Sequence, residues 1–315
     1  VIRNNLDSKG QSNCFFVFDN FLGDSNWARH IRRRIVQSSS HRYNAFVSGP
    51  SGTGKRLVAR SLHEHSNRRS GPFVPVDCAA LPASLFRSQV FGKAHRETTT
   101  LGSLRAANGG TIYLANIERL SFELQAELFQ VLETKLVTPV DSMEEFSIDV
   151  RVVAGSCQDL DELVRNGQFR ADLFSRLSVL TFDTKPLNDR LDDVEQIANQ
   201  LIAKLTFERG MSMKGLSRDA IDLLCAYYWP GNIRELRDTL DAAICDCEGD
   251  VVRATDLGIE LSGQRAAWET LADLEAKHIR DTLAISCGDI DQAAILLGID
   301  QDELRRKLAK LSLDS

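Results

Sequence analysis

The sequence predicts an α/β fold: a parallel sheet covered by helices on both faces, then a small helical subdomain, then a compact helical module at the C-terminal end. Three observations carry this. Short apolar runs alternate with helix-period segments from Tyr43 to Phe182. A glycine-rich loop closing on a lysine, Gly49–Lys55, separates the first apolar run from a helix. After Lys185-Pro186 the strand signal stops and only helical periodicity continues.

The apolar runs Ala45–Val47, Phe73–Val76, Thr111–Leu114, Val150–Ala154 and Val179–Phe182 read as buried strands. Between them lie helices such as Leu120–Leu132, whose Leu124, Leu128, Val131 and Leu132 share a face. Strands that alternate with helices imply a parallel sheet. Beyond residue 186, Val194, Ile197, Ala198, Leu201, Ile202 and Leu205 line one side of a first helix. Ser217 can cap a second, which runs to Tyr228 before Pro230-Gly231 stops it. Asn232, with Glu235 three residues on, resembles a capping box that opens a third. The expected divisions are a tail over 1–20, an α/β unit over 21–186, a helical subdomain over 187–248, a linker over 249–265 and a helical module over 266–315. In that module Leu274–Cys287, Asp289–Leu297 and Asp300–Leu311 read as helices, with a tight turn at Gly298-Ile299.

At 315 residues, 43% hydrophobic and 26% charged, the chain can bury a sizeable core. The net charge of −6 gives no global sign of nucleic-acid binding, so a DNA role has to rest on a local element. No apolar run approaches the roughly 18 residues that would span a bilayer, and Val1–Gly10 lacks the apolar stretch of a signal peptide. Seven scattered cysteines suit a reducing compartment, so the expected location is cytoplasmic, away from membranes. Cys245-x-Cys247 has no second pair or histidine cluster near it; it reads as two ordinary thiols, and no metal site is expected there.

The segment Ser48-Gly49-Pro50-Ser51-Gly52-Thr53-Gly54-Lys55 runs from a strand into a helix that starts at Arg56. Glycines let such a backbone curl until successive N–H groups point at phosphate oxygens, and the helix N-terminus adds positive potential. Lys55 would reach the β- and γ-phosphates, so the expected ligand is ATP or ADP. The residue after the lysine is usually Ser or Thr, whose hydroxyl binds Mg²⁺; Arg56 stands there, which weakens any metal site.

Together with the motifs downstream of this loop, the chain resembles the bacterial enhancer-binding activators of sigma-54 RNA polymerase, members of the AAA+ ATPases. The resemblance runs from Phe21-Leu22-Gly23 to the end. Gly49–Lys55, Val76-Asp77-Cys78-Ala79-Ala80-Leu81-Pro82, Phe91-Gly92, Ala107–Thr111, Leu124-Gln125 and Asp149–Val152 carry it. Phe169-Arg170, Asp172-Leu173, Arg176-Leu177 and Trp229-Pro230-Gly231-Asn232-Ile233-Arg234-Glu235-Leu236 continue it. It implies a P-loop AAA+ parallel sheet with a helical lid subdomain and a C-terminal Fis-type helix-turn-helix. It also implies a ring-forming motor that hydrolyses ATP to remodel the polymerase closed complex.

Several motor positions depart from the family. Its Asp-Glu pair, which organises Mg²⁺ and polarises the attacking water, matches Ala115-Asn116, so no catalytic residue is intact there. Its sensor Thr-Asn matches Ser156-Cys157, and its switch Asn matches Asp77. Its Gly-Ala-Phe-Thr-Gly-Ala loop is replaced by the shorter Lys93–Gly102, which leaves direct sigma-54 contact without an anchor. Retained are Arg170 and Arg176, which match arginines that reach a neighbour's γ-phosphate, and Arg234, which matches the lid's nucleotide sensor. The nucleotide contacts implied are therefore Gly49, Pro50, Ser51, Gly52, Thr53, Gly54, Lys55, Arg56 and Arg234.

Ala293-Ala294, Leu297-Gly298-Ile299, Leu304 and Lys307-Leu308 resemble the Fis-type helix-turn-helix of the same activators. The match places Gln301, Arg305, Arg306 and Lys310 toward DNA. From Asp289 to Ser315, however, four Arg/Lys stand against six Asp/Glu. The expectation is a DNA-binding regulator that holds ATP or ADP as a regulatory or structural ligand, with little or no hydrolysis and no direct sigma-54 remodelling. Two alternatives stay open: a working ATPase with a rewired water-activating residue, and a non-hydrolysing subunit that self-associates or joins AAA+ relatives in a mixed ring.

Overall fold

The computed structural model describes residues 23–94, 99–247, 249–259, 275, 278–279, 282, 286 and 290–311. The expected tail over 1–20 and the second half of the expected linker lie outside the described residues. The chain divides into two units, Val1–Ile259 and Glu260–Ser315.

In the first unit helix α1 (Asn26–Ser39) leads into strand β1 (Ala45–Ser48) and helix α2 (Lys55–Glu64). Next come β2 (Phe73–Asp77), α3 (Ala83–Phe91), the short strands β3 (Lys93–Ala94) and β4 (Thr99–Thr100), α4 (Ser103–Ala106) and β5 (Thr111–Ala115). The α/β part closes with α5 (Phe122–Thr134), β6 (Leu136–Val137), β7 (Phe146–Ser147), β8 (Arg151–Ser156), α6 (Leu160–Arg165), α7 (Ala171–Leu177) and β9 (Leu180–Asp183).

All five expected strands pair in parallel, in the order β2-β5-β8-β1-β9. The two-residue side-chain period explains the two cores on either side of this sheet. Phe46, Ile112, Leu114, Val152 and Ala154 join one core, with Phe86, Leu124 and Leu128. Ala45, Val47, Tyr113, Val153 and Phe182 join the other, with Ile31 and Ile35 of α1 and Val58 and Leu62 of α2. The strand order puts the loop after β1 beside the carboxyl end of β8, with β5 one strand further. β3 and β4 pair antiparallel, Lys93 with Thr100 and Ala94 with Thr99.

The lid comprises α8 (Val194–Glu208), β10 (Gly215–Leu216), α9 (Arg218–Ala226), α10 (Asn232–Asp246) and β11 (Val251–Val252). Val194, Ile197, Leu201, Leu205, Leu224, Trp229, Leu236 and Leu240 build its core. The linker expected over 249–265 is corrected in its first half. Val251 and Val252 pair in parallel with Gly215 and Leu216, and Val252 and Leu257 are buried in the lid core. The subdomain is thus not wholly helical: a ladder of two residues a side is too short to leave a period in the sequence. Ser217 stands at the N-cap of α9, but its hydroxyl donates to Val252 O at 3.0 Å instead of capping.

In the second unit, α11 (Ile290–Leu297) and α12 (Gln301–Leu311) are joined through Gly298, at φ +69°. Ala293, Ala294 and Leu304 are buried together with Ile279, and Ile299 packs against them. Of the helix expected over Leu274–Cys287, Glu275, His278, Ile279 and Thr282 are described and are helical.

Candidate nucleotide site

The loop Gly49–Gly54 turns between the end of β1 and the start of α2, and two of its glycines are dictated by close approaches. Gly49 has φ +131°, and a Cβ there would lie 2.2 Å from Thr184 Oγ1. Gly52 has φ +78°, and a Cβ there would lie 2.1 Å from Gly231 O of the lid. Thr53 is buried; its hydroxyl donates to Pro50 O at 2.8 Å and lies 2.7 Å from Thr184 Oγ1. Lys55 is buried too, and its ammonium donates to Gly49 O at 2.6 Å, Pro50 O at 2.9 Å and Cys157 Sγ at 3.1 Å. Ser51 and Arg56 are exposed at the mouth of the loop.

The lid grips this loop through residues that sequence reading did not assign to it. Asn232, at φ +56°, donates from Nδ2 to Ser51 O at 2.9 Å, and its Oδ1 accepts from Leu187 N at 2.7 Å. Ile233 N donates to Gly52 O at 3.0 Å. The capping box expected between Asn232 and Glu235 does not form: Glu235 Oε2 accepts from Gly231 N at 2.7 Å, Asn232 N donates to Trp229 O, and the Asn232 side chain serves the loop. Arg234 is exposed and donates to Ser51 Oγ at 3.4 Å. Beneath them Arg190 is buried, donates to Thr53 O at 2.9 Å and lies 4.4 Å from the Trp27 ring centre. Burial lowers the Arg190 pKa to about 10. Asp193, fully buried, accepts from Ser25 N and Oγ at 2.6 and 2.7 Å and so ties the start of α1 to the lid.

At the carboxyl ends of the neighbouring strands, β5 ends in Ala115, and Asn116 adopts the left-handed region at φ 54°. Asn116 Nδ2 donates to Asp77 Oδ1 at 2.8 Å, across the register that pairs Asp77 with Ala115. Asn116 Oδ1 accepts from Cys157 Sγ at 3.6 Å. One polar chain therefore runs Asp77–Asn116–Cys157–Lys55, from a strand-end carboxylate to the loop lysine. Ser156 is buried and exchanges hydrogen bonds only with the Gln158 backbone, 2.8 and 3.0 Å away. Glu118 lies in a helical turn past β5, where its Oε1 accepts from Cys157 N at 3.3 Å. It also lines a cavity of about 590 Å³ with Arg119, Gln158, Asp159 and Glu162, which contains no loop residue.

Arg170 and Arg176 are not brought to the loop of their own chain. Arg170 clamps Asp172 with bonds of 3.1 and 2.6 Å, and this guanidinium holds the Asp172 carboxyl below its ordinary range. Arg176 pairs with Glu133 at 3.0 Å. Of the four residues placed toward DNA, Gln301 and Arg305 are exposed on α12, and Arg306 and Lys310 lie on the same helix.

A magnesium ion takes oxygen ligands in octahedral array, and the donors around the loop can be set against that demand. The position after Lys55 offers a guanidinium and β5 ends in a methyl group, so neither supplies oxygen. Asp77 accepts from Asn116 and, at 3.0 Å, from Ala79 N through Oδ1, and Glu118 accepts from Cys157 N through Oε1 while its buried Oε2 has no partner among the described residues. Among the described residues no group of three or more His, Cys, Asp or Glu could hold a metal. Neither position 56 nor position 115, where the ion's oxygen ligands are expected, fits the ion.

A parallel sheet in this order, a glycine loop leading into a helix and a lid clasping that loop together define a P-loop AAA+ module. Comparison with known proteins bears on all three parts. Residues 21–183 match the sigma-54 interaction domain, 188–274 the AAA+ ATPase lid domain and 270–311 the Fis family of bacterial regulatory proteins. The response regulator protein PilR of Pseudomonas aeruginosa is 33% identical over 95% of this chain and 71% of its own length. The regulatory protein AtoC of Escherichia coli is 33% identical over 86% of this chain and 63% of its own. The crystal structure of NtrX from Brucella abortus superposes with a TM-score of 0.71 at 28% identity, covering 93% of this chain and 69% of that one. NtrX in complex with ADP and with ATP superposes with a TM-score of 0.69 in each case. The chain belongs to the sigma-54-dependent bacterial transcriptional regulators, and it spans 63–71% of the length of those two curated relatives. No described helix is long and apolar enough to cross a membrane.

Proposed function

We propose that this chain regulates transcription from DNA bound by its helix-turn-helix, and that it holds ATP or ADP as a regulatory ligand with little or no hydrolysis. The observation that carries this is the contrast between a complete loop, clasped by Asn232, Ile233 and Arg234, and a β5 end that offers Ala115 and a hydrogen-bonded Asn116. An amide is no base at ordinary pH, and loss of a general base costs about 10²–10⁴ in rate. NtrX, of similar fold, holds both ADP and ATP, which supports the ligand class. The segment Lys93–Gly102, which lacks the Gly-Ala-Phe-Thr-Gly-Ala motif, supports a regulator that does not remodel sigma-54 polymerase itself. Arg170 and Arg176 would serve a neighbouring subunit, either another copy or an AAA+ relative.

The test is steady-state ATP hydrolysis by the purified chain with Mg²⁺, beside Lys55→Ala. Turnover equal to that of the variant is expected. A second reading, a rewired ATPase, is favoured by one contact: Asp77 sets a carboxylate against Asn116, one strand over. If turnover exceeds the control and vanishes in Asp77→Asn, that second reading replaces the first.

A further inference from the structure

We propose that the loop takes its nucleotide free of divalent cation, with Arg56 supplying the positive charge that a bound cation would otherwise bring. The inference rests on the reading that the site binds ATP or ADP, and it concerns the form of ligand recognised. A nucleoside triphosphate usually arrives with a cation because its crowded negative oxygens need neutralising, and a protein that uses the cation gives it oxygen ligands. This chain offers it none of the expected ones, as position 56 can only donate hydrogen bonds and Ala115 has no donor atom at all.

What replaces the missing ligands is positive. Arg56 stands in the first turn of α2, directly after Lys55, and is exposed at the mouth of the loop. It has no hydrogen-bond or ion-pair partner among the described residues, whereas Arg60 one turn on is paired with Glu64 at 2.8 Å. Its charge is felt at the carboxyl end of the sheet: burial pushes the Tyr113 hydroxyl upward and Arg56 opposes that push. A Cβ on Gly155 would lie 2.6 Å from the Tyr113 hydroxyl, which puts that hydroxyl on the β5–β8 side of the loop, where Cys157 and Asn116 lie. Lys55 and Arg234 border the same loop. A guanidinium presents planar, permanently charged donors to phosphate oxygens and needs no ligand of its own. Three such cations around one loop favour the more negative, metal-free nucleotide and repel a divalent ion.

The experiment is calorimetric titration of the full chain with ATP and with ADP, once in EDTA and once in excess Mg²⁺ at equal ionic strength. The affinity in EDTA is expected to equal or exceed that in Mg²⁺. Arg56→Thr, checked for an unchanged melting temperature, is expected to weaken binding in EDTA by about tenfold or more, the scale of one charge-assisted contact, and Arg56→Lys to restore most of it. Wild-type binding at least about tenfold weaker in EDTA than in Mg²⁺ would overturn the inference and leave nucleotide binding standing. Undiminished binding by Arg56→Thr in EDTA would overturn it as well. Absence of binding in both buffers would bring down the nucleotide reading and this inference with it.

Discussion

Asn232 occupies a position that local pattern assigns to a helix cap, yet its amide joins the lid to the phosphate loop at Ser51 and to the chain at Leu187. Leaving the buried Leu187 N–H without its partner costs about 1–3 kcal/mol. Asn232→Ala is therefore expected to lower the melting temperature and weaken ATP binding together. Arg234→Ala, which removes one exposed contact of 3.4 Å, should weaken binding with little change in melting. Calorimetry beside thermal denaturation reads both, and equal melting of the two variants would contradict the clasp. His63 gives a second residue-level expectation. It is buried, Nδ1 lies 3.0 Å from Thr111 Oγ1, and burial holds its pKa below the ordinary 6.5. The unfolded chain then takes up the proton first, so stability is full above about pH 6.5 and falls as pH drops toward the lowered value. A His63→Gln variant should show a flatter profile of melting temperature over that window. Gly49–Lys55 and Arg234 were legible because each belongs to a short contiguous motif. The contacts of Arg190, Asp193 and Asn232 were not, because Thr53, Ser25 and Ser51 lie 137, 168 and 181 residues from them along the chain, although Asn232 itself stands in the same motif as Arg234.

At the scale of elements, what could be read depended on length. β1, β5 and β8 announce themselves as apolar runs because both of their faces are buried, the edge strands β2 and β9 keep some residues exposed, and all five pair as expected. The two-residue ladders β3–β4, β6–β7 and β10–β11 leave no comparable trace. This matters most after Cys247, where low periodicity suggests a linker although Val252 and Leu257 are 0% and 5% exposed in the lid core. Leu257→Ala should therefore cost about 2–5 kcal/mol, as deletion of a core side chain does. Val251→Ala, one position before Val252 and 48% exposed, should stay within about 0.5 kcal/mol. Urea unfolding of the two variants separates the cases, because a true linker would tolerate both changes equally. Asp77–Asn116 is also an element-scale feature. The resemblance implies a carboxylate where Ala115-Asn116 stands at the end of β5, and only the parallel register of β2 with β5 shows Asp77 set against Asn116.

For the whole molecule, the net charge of −6 means that any attraction to DNA has to be concentrated in the helix-turn-helix unit. There the cations are few and one of them is already committed. Lys307 pairs with Glu275 and, at 3.6 Å, with Glu303, and these carboxylates raise its pKa. Asp300 spends part of its charge on Glu303 N at 2.7 Å, at the start of α12. Arg305 is exposed on α12, the helix that also carries Gln301, Arg306 and Lys310. Each neutralised phosphate contributes about 0.9 to the slope of log affinity against log salt on duplex DNA. The slope therefore counts the Arg and Lys side chains of the unit that reach phosphates, and a pair of copies should show about twice the slope of one. Arg305→Ala should make the slope shallower by about 0.9 per copy, while Lys307→Ala should leave it unchanged, because its charge is satisfied within the unit. Fluorescence anisotropy with a random duplex over a potassium chloride series measures all three. A slope unaffected by Arg305→Ala would mean that α12 does not face the phosphates, and the unit would then serve association between chains instead of DNA.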